Sequence, residues 1–367
     1  MPAPPLPPRA DVVVAGAGLA GACAALVLAR DRRVVVVEAE RPGAGASGAA
    51  AGLVNPFMGR RAKRAWRADR ALDALDRLLD EAGAGALFAR SGVLRPAPPD
   101  PGTFRDRAAE HPDALDWLPP GAAAERFPHV AAPAGALLVR RGGHVEVGAL
   151  AAAFACSAEA RGAAVVRARL RSWRGGRGGV VVETDAGEVA ARHLVLCLGD
   201  GARHLPALAG LPLHRVKGQT VRLARPDAVP PDGPAIAGRG YVVPRADGVT
   251  AGATFEHAFE TTAPDPALDA GLRDRAAALV PALGEAAVLG RRAGVRLTVP
   301  ASAAPGRLPM VGPLVGGAGA VWVFTGLGAK GLLTAPLLAL ALPDALDGRA
   351  PLPPEVGAAL GAGRGGG

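Results

Sequence analysis

The chain has 367 residues, half of them apolar, which is enough to bury a large core and to hold two lobes. Its one long apolar run near the C-terminus is broken by Lys330, so no stretch of the sequence reads as a transmembrane helix. The net charge of +9 does not by itself imply a nucleic-acid partner, because 39 of the 42 basic residues are arginine in an Ala-, Gly- and Pro-rich chain, as GC-rich coding produces.

The opening "MPAPPLPPRA" lacks the apolar stretch of a secretory signal and reads as a flexible leader. Val12, Val13 and Val14 form a β-branched run ending at Gly16, the pattern of a buried parallel strand. Leu19 to Ala29, rich in Ala and Leu and free of proline, is expected to be a helix. Val34 to Val37 give a second buried strand, closed by Glu38, 22 residues after Gly16. With 51 glycines in the chain, the spacing G-x-G-x-x-G begins not only at Gly16 but also at Gly43, Gly326 and Gly361. The spacing therefore carries weight only where a strand precedes it and a helix follows. At the first match Gly16 allows the tight turn, Gly18 lets a pyrophosphate approach the backbone, and Gly21 lets helix and strand pack closely. The helix N-terminus offers unpaired N–H groups to phosphates, and Glu38 is placed to accept from ribose hydroxyls. Strand, helix and acid in register read as a dinucleotide cradle.

Beyond it, "RPGAGASGAAAGLVNP" leads into a helix expected from about Arg64 to Ala82. Residues 83–144 are punctuated by Pro and Gly and contain the strand-like "RSGVLRP" and "GALLVRRGGHVE". Residues 148–163 read as a helix. "AVVRARLRSW" and "GVVVETDAGEVAARHLVLCLGD" follow as a strand, a hairpin turning at "DAGE", and a buried strand ending at Gly199. "GQTVRLAR", "GYVVPRADGVTAGATFE" and "GVRLTVPAS" supply further strands. "AVWVFTGLGAKGLLTAPLLALAL" is strand, glycine loop, helix, so the match at Gly326 also has its context. Residues that GC-rich coding makes rare cluster in a few of these segments: Asn55, Lys63, Lys217, Gln219, Tyr241 and Lys330. Cys23, Cys156 and Cys197 are far apart in apolar surroundings and have no metal-ligand spacing. They are expected to be reduced core residues of a cytoplasmic protein with no metal site.

Taken in order, "GAGLAG" with Glu38, "GASGAAAG", "LCLGDGA", "VKGQ", "YVVPRADGVTAGATFE", "GVRLTVPASAAPGRLPMVG" and "TGLGAKGLLTAP" resemble the FAD-dependent amine oxidoreductases related to D-amino-acid oxidase and glycine oxidase. The resemblance runs from Asp11 to about Leu346. It implies an α/β (α+β overall) architecture, a Rossmann-like FAD-binding domain interleaved with an antiparallel-sheet substrate domain. The implied division is 1–82, 145–205 and 306–367 for FAD, and 83–144 and 206–305 for substrate.

The same resemblance implies where FAD contacts the chain. Gly16, Gly18, Leu19, Ala20 and Gly21 form the first loop, Glu38 and Ala39 the ribose side, and Ser47 and Gly48 the pyrophosphate side. Leu170 would offer backbone groups to adenine, with Gly199 nearby. Gly326, Gly328, Ala329, Lys330, Gly331 and Leu332 would face the flavin. The helix dipole at Gly331 would stabilise negative charge arriving there, with Lys330 able to add to it. Arg296 and Tyr241 match positions that hold a substrate carboxylate in relatives oxidising glycine and D-amino acids. Because no cysteine follows Cys197, FAD is expected to be non-covalent.

The implied activity is oxidation of the carbon beside nitrogen in a small amine, amino acid or N-substituted glycine, by hydride transfer to flavin N5. The imine then hydrolyses, and oxygen or another acceptor takes the electrons. One departure bears on substrate: Leu327 and Ala329 stand where glycine oxidases carry His and Arg. "GLGAKGL" and "LPMVG" are similar to the FAD oxidase domain of the bifunctional enzyme that matures wobble-uridine side chains in tRNA, although no methyltransferase half is legible. That similarity implies the alternative, removal of a carboxymethyl group in tRNA, with the basic "GRRAKRAWRADR" (59–70) as a candidate contact surface or a solvated helix face.

Overall fold

The valine-rich runs assemble side by side in the computed structural model, which describes residues 5–314 and 319–361. Val12–Ala15 is flanked in parallel by Val34–Glu38 and His193–Leu196. Ala164–Arg167 and Val321–Thr325 extend the sheet in parallel on either side, and Met310–Pro313 closes one edge antiparallel. Alternate valines serve opposite faces. Val12, Val14, Val34 and Val36 pack under the helices Leu19–Leu28, Val147–Ala160 and Gly331–Leu346. Val13, Ala15, Val35 and Val37 pack against the antiparallel meander Leu170–Gly176, Gly179–Thr184, Gly187–Ala191. A strand buried on both faces must be apolar at every position, which is why the runs do not alternate. Every residue of Leu19–Leu28 is buried, and its small side chains let the other two helices lie against it.

A second sheet of eight strands runs Val288–Thr298, His214–Leu223, Gly248–Gly252, Tyr241–Arg245, Ala235–Ala237, Val93–Pro96, Ala136–Val139, Leu115–Leu118. All neighbours are antiparallel except Ala235–Ala237 beside Val93–Pro96. One face buries Leu94, Val221, Ile236, Val242 and Val249 against the helix Asp269–Ala277. The chain passes between the two sheets four times, and each sheet draws its strands from separate stretches. The turn at "DAGE" joins two strands of the meander, as the sequence predicts.

Three expectations change. Pro8 to Ala10 is not a loose leader: Ala10 N–H donates to Ala190 O (3.0 Å) and Ala190 N–H to Pro8 O (3.0 Å). Residues 1–4 of the leader and the glycines after Gly361 lie outside the described residues. The helix expected from Arg64 begins at Ala68, because Lys63–Arg64 pairs instead with Phe57–Met58 in a small hairpin. Arg67 takes φ 48° just before the helix starts, so the basic segment is mostly hairpin and not a helix face. Asp269–Ala277 carries a helical spacing, Leu268, Leu272, Ala276 and Leu279, that would have revealed it. Among the described residues no helix is long and apolar enough to cross a membrane.

His144 lies in the three-stranded sheet between Leu53 and Ala89, 5% exposed, with neither ring nitrogen hydrogen-bonded among the described residues. Burial, with Arg245 adding to it, pushes its pKa down to about 4 from a usual 6.5. The unfolded chain therefore takes up this proton first as pH falls. The stability tied to neutral His144 is full above about pH 6.5 and is lost between there and pH 4. His144→Leu is expected to shrink the fall in Tm between pH 7 and 4.5; an equal fall in parent and variant excludes His144 as its source.

Candidate active site

A cavity of about 1850 Å³ runs from the first glycine loop to the large sheet, with the second loop set against that sheet's strand Val288–Thr298, where Gly328 N–H donates to Leu297 O (2.9 Å). At the first loop Gly16 takes φ 97°, and a Cβ there would lie 2.5 Å from Cys197 O. A Cβ on Gly21 would lie 1.8 Å from Gly16 O, so helix and turn touch only because that atom is missing. Gly18 differs: its φ is ordinary, and a Cβ would meet only Ser47 Oγ at 3.4 Å. Ser47 Oγ accepts from Leu19 N–H (3.0 Å), and Glu38 accepts from Ala17 N–H (2.6 Å) and Glu40 N–H (2.9 Å). These bonds set the serine and the carboxylate on either side of the loop. The short helix Ala46–Ala49 that carries Ser47 presses on the large sheet at Gly294, where a Cβ would be 2.9 Å from Ala46 Cα.

Gly16, Gly18, Leu19, Ala20, Glu38, Ala39, Ser47 and Gly199 line this end, and Gly326, Gly328, Ala329, Lys330, Gly331 and Leu332 line the cavity from the second loop. Three expected contacts do not. Gly21 is a packing glycine behind the loop. A Cβ on Gly48 would lie 2.7 Å from Gly43 O, so that glycine serves the fit of Ala46–Ala49 against Gly43 and Gly148. Leu170 is buried opposite Thr184 in the meander, and its neighbour Arg169 reaches the cavity in its place. Lys330 is half-buried and its ammonium donates to Gly306 O. Burial and then Arg307 lower its pKa. The N-terminus of Gly331–Leu346 faces the cavity and has no acidic side chain in its first turn, so its positive dipole end is open to an anion.

At the other end Arg296 extends across Gly218, where a Cβ would lie 2.2 Å from its Nη2. Nη2 donates to Thr254 O (3.3 Å), and the guanidinium stacks 4.7 Å from the Phe255 ring centroid. Burial lowers the Arg296 pKa and Tyr241 opposes the shift; no carboxylate compensates it. Burial pushes the Tyr241 phenol up to about 12, with Arg296 opposing. The two residues named from sequence thus face one space. Arg60, from the basic segment 59–70, and Phe255, from "YVVPRADGVTAGATFE", also line the cavity; sequence reasoning missed Arg95, Arg239 and Arg275, which no local pattern distinguishes from the other arginines.

Residues 11–344 match the DAO family, described as FAD dependent oxidoreductase. The chain belongs to this family. It is 34% identical over 353 residues to the tRNA 5-methylaminomethyl-2-thiouridine biosynthesis bifunctional protein MnmC of Maricaulis maris (strain MCS10), across 94% of this chain and 53% of that protein. The chain thus spans about half the length of that relative. Among solved structures it is similar to glycine oxidase from Geobacillus kaustophilus, with TM-score 0.80 and 26% identity over 94% of this chain and 96% of the other. It is similar also to iminodiacetate oxidase from Chelativorans sp. BNC1, with TM-score 0.79 and 25% identity over 94% and 97%.

As a DAO-family member the chain is an FAD-dependent oxidoreductase, and the residues present fit that cofactor. The first loop and its helix would hold the pyrophosphate, Glu38 the ribose hydroxyls, and the Gly331 helix the polar edge of the ring. Among the described residues no group of three or more His, Cys, Asp or Glu side chains could hold a metal ion. Cys23 and Cys197 are buried as expected, with thiol pKa values pushed far up, so neither is a thiolate at neutral pH; Cys156 is not a core residue but stands exposed on Val147–Ala160, on the side of the helix away from its buried positions.

The two glycines separate cradle from packing. Gly21→Ala is expected to lower the Tm of the apoprotein, since overpacking against backbone costs about 1–3 kcal/mol or more. Gly18→Ala should leave that Tm within a degree or two but weaken FAD binding at least about tenfold, because its methyl enters the space beside the phosphates. Calorimetry and flavin titration read the two effects; parent-like FAD affinity in Gly18→Ala would remove that glycine from the cradle.

Proposed function

We propose that this DAO-family chain oxidises an N-substituted glycine or small amino acid at the carbon bearing both nitrogen and carboxylate. The observation that carries the reading is Arg296, laid across Gly218 beside Tyr241 with no acidic partner among the described residues. A guanidinium fork bonds a carboxylate in two places, and a phenol that stays protonated to about pH 12 adds a donor. Phe255 stacked on the fork restricts its rotation, so little order has to be gained on binding. When bound, FAD supplies the two-electron acceptor for the carbon–hydrogen bond beside nitrogen. The imine left behind hydrolyses with water, which asks no nucleophile of the protein. On this reading residues 1–82, 145–205 and 306–367 form the lobe that holds FAD non-covalently, and 83–144 and 206–305 the lobe that holds substrate.

A second reading keeps the same reacting unit but puts it at the end of a tRNA wobble-uridine side chain. The similarity to the tRNA biosynthesis protein of Maricaulis maris supports it, and so does the basic lining of the cavity. Gly59 and Arg60 belong to that lining, and Arg61, Lys63 and Arg64 stand exposed on the hairpin beside them. Phe255, 65% exposed, offers a stacking face.

Arg296→Met keeps the stem and removes the fork. Charge-assisted bonds are each worth about 1.5–3 kcal/mol, so kcat/KM for the best amino acid should fall about 10²–10⁴-fold. Tyr241→Phe should cost about one neutral bond, and a carboxylate-free amine should respond far less to Arg296→Met. Undiminished oxidation by Arg296→Met would make it a packing arginine only. To separate the two readings, Arg61→Glu with Lys63→Glu should weaken tRNA binding and flatten its salt dependence while sparing turnover of a small amine. Failure of undermodified tRNA to bleach the flavin anaerobically would end the second reading.

A further inference from the structure

Arg95 is a buried charge that the reaction above does not use. It is 7% exposed, on Val93–Pro96, and lines the cavity. Nη1 donates to Phe57 O (2.6 Å) and Nη2 to Gly59 O, while Nε has no partner among the described residues. The guanidinium lies 5.1 Å from the Phe104 ring centroid. Burial pushes its pKa down to about 10, and no carboxylate offsets that. Lys217, comparably buried at 3% exposed, does have its counter-ion, Glu256 at 3.4 Å. An uncompensated buried cation is expensive unless something in the cavity answers it.

The register of the large sheet says where the answer would come from. Val93 pairs with Ala235 and Leu94 with Ile236, so Arg95 stands beside Ala237, and Ala237 pairs with Tyr241. Paired residues share a face. Leu94, Ile236 and Val242 all pack on the far face, which leaves Arg95, Ala237 and Tyr241 as one row toward the cavity. Arg95 and Tyr241 are two strand spacings apart, about 9.5 Å. The residue between them is an alanine, so the span is open. Arg296 reaches the Tyr241 end of the row over Gly218. Arg60, Arg239 and Arg275 also line the cavity.

We propose that Arg95 is a specificity residue that binds a second anionic group of the substrate, so that the preferred substrate is an amine carrying two carboxylates, one at each end of the row. The inference rests on the reading of Arg296 as the first carboxylate site. Only the glycine-type carboxylate lies beside the oxidised carbon; the second is held for orientation and is not transformed.

The test uses a matched pair on the holoenzyme, N-(2-carboxyethyl)glycine against N-propylglycine, which differ by an anionic end of nearly equal size. The parent should favour the diacid at least 30-fold in kcat/KM. Arg95→Met should erase most of that preference, with a loss on the diacid at least ten times the loss on N-propylglycine. Equal losses would make Arg95 a clamp on the 57–59 turn and overturn the proposal. A binding readout runs beside turnover: glutarate and butyrate titrated against the flavin spectrum and against Tm. Glutarate should bind the parent at least tenfold more tightly than butyrate, and Arg95→Met should remove that difference. If neither amine reduces the flavin, the glycine-amine reading fails by itself. Glutarate then still decides Arg95: a preference lost in Arg95→Met upholds the anion site, and no preference overturns it. Should Arg95→Met not fold, Arg95→Lys, which keeps the charge without the fork, should retain part of the glutarate preference; its absence in the parent already overturns the proposal.

Discussion

The nucleotide end of the molecule depends on two missing side chains. Helix Leu19–Leu28 can start where it does only because nothing projects from Gly21 toward the Gly16 carbonyl, which would be 1.8 Å away. Gly16 in turn has nothing to push against Cys197 O, so the first strand can turn sharply beneath the neighbouring strand. From that contact follow the direction of the helix, the aim of its N-terminus and the placement of Ser47 and Glu38 on either side of the loop. A local steric allowance thus fixes an electrostatic site. The large sheet repeats the device at Gly218, where the absence of a side chain gives Arg296 its path across the strand.

Buried charge organises the other end. Lys217 has its anion in Glu256, and Arg215 bonds Asp200 at 2.6 and 2.9 Å. The network from Lys217 through Glu256 and Thr254 to Gln219 ties the loop bearing Phe255 back to its strand. Arg95 and Arg296 at the cavity differ: among the described residues they have no ion pair and lean on carbonyl oxygens and aromatic faces. Carbonyl dipoles hold a guanidinium in place but do not neutralise it.

The parts of this arrangement that were legible in the sequence are those that local rules determine. The run from Val12 to Glu38 could be read because strand, turn glycines and acid lie within one short stretch and each has a physical reason to be there. Tyr241 and Arg296 came from matched motifs, and the sheet brings them to one space. The helix start at Ala68 was not legible. The hairpin that displaces it is held by Arg95, more than thirty positions downstream, through the carbonyls of Phe57 and Gly59. Arg95 itself was one arginine among 39, and its burial depends on strands that meet it only in the folded sheet. At Leu170 and Arg169 alternation along the strand sends one side chain into the core and leaves its neighbour at the cavity.

The order in which the chain visits its two sheets has a consequence for synthesis. When Val12–Ala15 leaves the ribosome it has one partner, Val34–Glu38, and its other edge waits for His193–Leu196. Val321–Thr325 and the edge strand Met310–Pro313 come later still, so this buried sheet is completed among the last. Until then a row of valines with unpaired backbone groups is exposed on a nascent chain, the situation in which strands pair with the wrong partner. The large sheet, whose last strand is Val288–Thr298, has all its strands before the first sheet does, and a holdase that covers the early valine strands would favour the correct closure over aggregation.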